Sequence, residues 1–147
     1  MGMLLNLVDT SSCKMSGDLF ILACKKGYDS KGFIERVMLS ETGGLLYCAN
    51  SCQMWLGSTY VMSELEQEIE FEKGKVINEQ LMYWIGYLYR YWSIVYPEDT
   101  AKDIYTQAPF DTLATTYQGL HVLFWDEAIE NLKEIYNERN GIKDSTI

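Results

Sequence analysis

Four cysteines, a single histidine and a row of glutamates are the residues of this chain best suited to chemistry. Cys13, Cys24, Cys48 and Cys52 all fall in the first 52 residues, spaced C-x10-C-x23-C-x3-C. Four thiolates suit a tetrahedral zinc ion. Cys48 and Cys52, four apart, would point the same way from a helix. The spacing is not that of a zinc finger or ribbon, however, and Cys24 lies on an apolar face, where cysteine acts as a small buried hydrophobe. The expectation is four core cysteines and no cofactor, with a small zinc-stabilised metalloprotein as the alternative. His121 would need a nucleophile or carboxylate beside it to act in catalysis. Its neighbours from Gly119 to Phe124 are apolar, so it reads as a core or interface histidine bonded to the backbone. No phosphate loop, dinucleotide fingerprint, H-E-x-x-H or G-x-S-x-G motif occurs. No catalytic residue is assigned, and the chain is not expected to be an enzyme.

Glu64, Glu66, Glu68, Glu70 and Glu72 recur at every second residue. Such a row is either a solvated face or a patch that presents phosphate-like charge to a basic groove. Tyr83, Tyr87 and Tyr91 form a second row. They either fill the core with their hydroxyls at its edge or serve as aromatic contact anchors. If the chain binds a partner, these eight residues are the candidates.

The elements that position them follow from periodicity. Asn78 to Pro97 holds five of the eleven tyrosines and two of the four tryptophans. Asn78 is a natural N-cap and Pro97 a natural stop, so one helix is expected over about 78–96. Leu81, Trp84, Ile85, Leu88, Trp92 and Val95 form its apolar stripe, with the three tyrosines opposite. A helix apolar nearly all round is sandwiched between others. Before it, a helix is expected from Ser16 to Gly27, preceded by an arm or short strand over residues 1–15. A second should run from Lys31 to Ser40, broken by Gly43-Gly44, with one or two helical turns over Leu45–Cys52. Ser58 to Lys73 is ambiguous: Val61, Leu65 and Ile69 have helical spacing, whereas the glutamates alternate as in a strand. Glutamate favours helices, so helix is expected there. Three short helices should follow the central one: Ala101–Gln107 capped by Thr100, Asp111–Gln118 closed by Gly119, and a last one from Asp126 to Asn140-Gly141. The tail from Lys143 is expected to be loose. The fold class is all-α, a compact single-domain bundle around the central aromatic helix.

Composition limits the partners. With 48% hydrophobic and 14% aromatic residues the chain should fold into a core of ordinary size. Its formal net charge of −9 should repel naked phosphate backbone, which argues against direct nucleic-acid binding, and should attract a basic protein. Homo-oligomer formation is compatible with the same surface. No secretory signal is visible and the central stretch is too tyrosine-rich to span a bilayer, so a cytoplasmic location is expected.

The segment MYWIGYLYRYW (82–92), followed by PEDTAKDIYTQAP (97–109), Tyr117, His121 and WDEAIENLKEIY (125–136), resembles a family of small uncharacterised Firmicute proteins with a YWIGYxYRYW core. FIERVMLS (33–40) extends the resemblance, which covers roughly the second half of the chain best; Cys48 to Trp55 departs from it. The resemblance implies a helical bacterial accessory protein of toxin–antitoxin or mobile-element neighbourhoods. Together the charge and the resemblance favour a non-catalytic, acidic inhibitor of the antitoxin type that occludes the basic, nucleic-acid-binding surface of a toxin or nuclease. A phage or mobile-element anti-CRISPR inhibitor acting as a nucleic-acid mimic is the alternative with the same physics.

Overall fold

In the computed structural model, which describes residues 7–51 and 53–141, the Asn78 carboxamide oxygen accepts the backbone N–H groups of Gln80 and Leu81 at 2.7 and 3.3 Å. This cap opens the expected central helix, which spans Glu79–Val95 and ends on Tyr96, just before Pro97. In chain order the described residues form α1 (Leu7–Lys25), α2 (Ser30–Met38), α3 (Glu41–Leu46), a 3-10 turn (Gln53–Leu56), α4 (Ser58–Glu68), α5 (Glu79–Val95), α6 (Ala101–Gln107), α7 (Phe110–Leu120) and α8 (Trp125–Arg139). The fold is all-α, as expected. One isolated antiparallel bridge, between Tyr28 and Lys73, is the extent of β pairing among the described residues.

α5 is buried over most of its surface, with Tyr83, Tyr87 and Ile94 half-buried. Ile85, Leu88 and Trp92 of the expected stripe are fully buried, and so are Met82, Tyr89 and Arg90 on other faces. α1 is its main neighbour, and it begins at Leu7, where an arm was expected up to residue 15. The helix escapes notice because its buried face is partly polar: Ser12 and Ser16 are buried beside Cys13. These hydroxyls have specific partners. Ser16 donates to the Gly86 carbonyl at 2.7 Å and pairs with the Tyr47 hydroxyl at 2.7 Å, and Ser12 accepts from Arg90 Nε at 2.8 Å. The two helices cross where glycine faces glycine. A Cβ on Gly86 would lie 2.6 Å from the Ser16 carbonyl oxygen and 3.1 Å from the Gly17 Cα. Side-chain size at the contact sets how closely helices approach, so this pair sets the α1–α5 distance.

Arg90 is the buried charge at the centre. Its guanidinium donates to the carbonyls of Leu46 (3.2 Å), Cys48 (2.6 Å) and Ser51 (2.9 Å) and to the Ser93 hydroxyl (3.0 Å). One side chain therefore ties the segment after α3 to the core.

Four local expectations are corrected. The Lys31–Ser40 helix ends at Met38, because Ser40 turns to cap α3, accepting Gly43 N–H at 2.9 Å. Gly43-Gly44 lies inside α3 and breaks nothing; the helix stops at Leu46, and the segment behind it is held by Arg90 instead of by helical bonds. The Ser58–Lys73 helix ends at Glu68. From Ile69 the chain runs extended as a strap across the α1–α2 corner, where Asp29 N–H donates to Glu72 O, Ser30 N–H donates to Lys75 O, and Lys75 N–H donates to Asp29 Oδ1. The alternation of buried Ile69 and half-buried Phe71 with exposed Glu70 and Glu72 is the strand-like signal that glutamate's helix preference hid. α7 runs through Gly119 to Leu120, and nothing lies within 4 Å of that glycine's would-be Cβ. α6 carries the expected Thr100–Asp103 capping box. The expectations for residues 1–6 and for the tail from Lys143 concern residues outside those described.

Asp99 joins the ends of α5 and α6 to the middle of α8. Its Oδ2 accepts from Trp92 Nε1 (2.8 Å), Lys133 Nζ (2.8 Å) and Gln107 Nε2 (3.2 Å). Burial pushes its carboxyl up, but the bonds from Lys133, Trp92 and Gln107 outweigh that and hold it below its ordinary 3.8. A carboxylate lowered in the folded state stabilises above its unfolded value, and that contribution is lost as pH falls through the folded value. Glu66 and Glu68, also lowered, act with the same sign. Wild type should therefore lose stability as pH falls below 4.5, the ordinary value of those glutamates. Asp99→Asn should be weaker at neutral pH and lose less on the acid limb. Urea unfolding across a pH series checks this; parallel acid limbs would remove Asp99 from the titration.

Candidate functional site

The five glutamates do not form one patch. Glu66 faces the α1–α2 corner, where Lys26 Nζ approaches it at 2.7 Å and the Tyr28 hydroxyl donates to it. That bond pushes the Tyr28 phenol up to about 12. Glu68 receives the backbone N–H groups of Glu41 and Thr42, both at 2.9 Å, at the start of α3. Glu70 and Glu72 ride on the strap, and their backbone carbonyls accept from Arg36 and Asp29. Glu64 alone stays on the outer face of α4, exposed and without a hydrogen-bond or ion-pair partner among the described residues.

The tyrosine row is covered by α8. Trp125 stacks on Tyr87 at 4.3 Å between ring centroids and lies 6.1 Å from Tyr91 and 6.2 Å from Trp84. Tyr91 is buried and donates to Asp126 Oδ1 at 2.8 Å. Tyr83 is half-buried against Gly17. The sequence placed these rings opposite the apolar stripe; the structure turns that side toward a second helix, where they hold elements together.

Of the cysteines, Cys13 is fully buried, and burial pushes its thiol up to about 12. Cys24 is buried, with its thiol also raised by burial, and Cys48 Sγ donates to Leu45 O at 3.5 Å. Cys52 lies outside the described residues. Among those described, no group of three His, Cys, Asp or Glu side chains is placed to hold a metal ion. His121 is exposed, so of the expected core or interface position the core one is corrected. The backbone bond is present, with Nδ1 2.7 Å from Tyr117 O, and the ring stacks on Tyr117 at 4.5 Å. The helix ends one residue earlier and leaves the ring outside the core.

Exposed apolar groups lie elsewhere. Trp55 (46% exposed), Leu56 (57%) and Tyr60 (50%) project where the 3-10 turn meets α4, and Leu45 (54%) is exposed on α3. Leu56, Tyr60 and Glu64, with Thr42, Leu46 and Val61, line a depression of about 120 Å³ between α3 and α4. Gly57, at φ +93°, makes the turn that sets Trp55 and Leu56 against the start of α4. Tyr60 and Glu64 are four apart, so they share one flank of α4. That spacing was the available signal, and the neighbouring apolar stripe drew attention from it. A second exposed group, Val122, Leu123 and Phe124, forms the turn before α8.

No helix among the described residues is long and apolar enough to cross a membrane. No known protein family, curated protein or solved structure matches the chain.

Proposed function

We propose that this protein is a non-catalytic binding module, an inhibitor of the antitoxin type that occludes a basic, nucleic-acid-binding surface of a partner protein. The observation that carries the reading is the α3–α4 face, where Leu56 and Tyr60 stand exposed beside unpaired Glu64, with exposed Trp55 next to Leu56 in the chain. Large aromatics surrounded by polar groups are the usual anchors of protein interfaces. Singly exposed apolar residues need no explanation, but several on one face mark a contact. The net charge of −9 favours a basic partner and steers its approach. The resemblance of the central segment to Firmicute proteins of toxin–antitoxin neighbourhoods points the same way.

The mechanism is occlusion. Trp55 and Tyr60 anchor the contact, and Glu64 meets a Lys or Arg that would otherwise hold phosphate. The test uses the partner captured from the native host, purified and titrated by surface plasmon resonance. Trp55→Ala with Tyr60→Ala should weaken binding by about 2 kcal/mol or more, chiefly through the off-rate. Glu64→Lys should chiefly slow association. Duplex nucleic acid bound by the partner should compete with wild type. These side chains are exposed, so the folded state survives each change. Unchanged binding by the aromatic double variant, or a complex indifferent to nucleic acid, would refute the reading.

A further inference from the structure

A second concave site, apart from the α3–α4 face, lies where the strap passes between α2, α5 and α7. It encloses about 380 Å³, within the range of small-molecule pockets. Its floor is apolar: Ile77 and Leu81 from the strap and the start of α5, Phe110 and Ala114 from α7. Its rim carries Lys31 and Lys75. Asp29 also lines it and Asp111 stands against Lys31, so the two ammonium groups are matched by two carboxylates.

Two bonding details leave the ammonium groups available to a ligand. Asp29 already receives Gly32 N–H at 2.9 Å and Lys75 N–H at 3.0 Å, so its oxygens are engaged by the backbone although its charge remains. The Lys75 ammonium itself has no hydrogen-bond or ion-pair partner among the described residues. Lys31 pairs with Asp111 at 3.0 Å, but both side chains are at least half exposed, and such a pair is weak and exchangeable.

From this geometry we propose that the pocket binds a small amphipathic carboxylate, its apolar body on Ile77, Leu81, Phe110 and Ala114 and its carboxylate between the ammonium groups of Lys75 and Lys31. The ligand takes the place of Asp111 at Lys31. The Lys75 ammonium, without a partner among the described residues, sets the sign of the head group, and the apolar lining requires a tail. An inorganic anion lacks the second and a neutral alcohol lacks the first.

Decanoate, kept below its micelle concentration, is the probe. Binding is followed by calorimetry and by backbone amide shifts of residues 31, 75, 77 and 114. Saturable binding of decanoate is expected, with decanol and inorganic phosphate at least several-fold weaker. Lys75→Met and Lys31→Met keep the aliphatic stems and should each weaken decanoate roughly two- to fivefold, the range of an exposed ion pair. Ala114→Trp, at an exposed helical position, keeps both charges and should abolish binding by filling the space. Circular dichroism verifies that the variants fold. Decanol binding as tightly as decanoate, decanoate binding intact in Ala114→Trp, or no saturable shift at these amides would each overturn the proposal. None of these residues lies on the α3–α4 face, so the partner-binding reading stands or falls separately.

Discussion

Gly86→Ala is expected to lower stability by about 3 kcal/mol, the upper end of what overpacking costs, and to lower Tm by roughly 6–12 °C for a chain of this size. The added methyl has no soft neighbour to displace. It meets the Ser16 carbonyl oxygen at 2.6 Å, the Phe20 ring at 2.9 Å and the Gly17 Cα at 3.1 Å. Two of the three are backbone, so relief requires α1 and α5 to separate, which would stretch the 2.7 Å bond from Ser16 to the Gly86 carbonyl and loosen the ring contacts of Phe20 with Phe33, Tyr47 and Tyr89. Gly119→Ala is the control. It sits in α7 with open space around it, and should stabilise by about 0.5–1 kcal/mol through helix propensity alone. Thermal and urea unfolding of the two variants measure the difference. Equal stability would mean that the crossing does not depend on the absent side chain.

Arg90→Met should cost about 3–5 kcal/mol, because several buried acceptors are left unsatisfied at about 1–3 kcal/mol each. The methionine fills much of the volume but satisfies none of the acceptors. The carbonyls of Leu46, Cys48 and Ser51 and the Ser12 hydroxyl all lose a charged donor at once. Arg90→Lys should recover only part of the loss, because an ammonium is a point donor and cannot reach sites that a planar guanidinium spans. Urea unfolding gives the total, and hydrogen exchange should show residues 47–51 losing protection first. Wild-type stability in Arg90→Met would refute the role assigned to this side chain.

Both residues stand in plain view in YWIGYLYRYW, and neither role could be read there. The central helix was legible because its cap, its stop and its apolar density agree. Thr100 with Asp103 was legible because a capping box is local. α1 was not, because Ser12 and Ser16 look like surface residues until Arg90 and Tyr47, distant in sequence, supply their partners. The strap was misread because an intrinsic preference of glutamate outweighed a real alternation, which the backbone of Asp29 and Ser30 then decides. The same limit governs the binding face. Glu64 could be named, but that Glu66 and Glu68 are committed to Lys26, Tyr28 and the start of α3 depends on elements up to 40 residues away. Tyr83, Tyr87 and Tyr91 were ambiguous for the same reason, since only the placement of Trp125 tells a covered ring from an exposed one.

The α1–α5 contact also dictates when this chain can fold. Ser16 is 70 residues from Gly86, and Ser12 is 78 from Arg90. At a ribosomal rate of 5–20 residues per second, the N-terminal helix waits on the order of 4–15 s before its counterpart is synthesised. Until then its serines have only water for company, and Leu19, Phe20 and Ala23 have no α5 to cover them. Closing so long a loop is slow compared with forming a local hairpin of helices. The nascent chain therefore passes through an interval in which its most carefully fitted surface is also its stickiest, and the last helices emerge onto a centre that has only just closed.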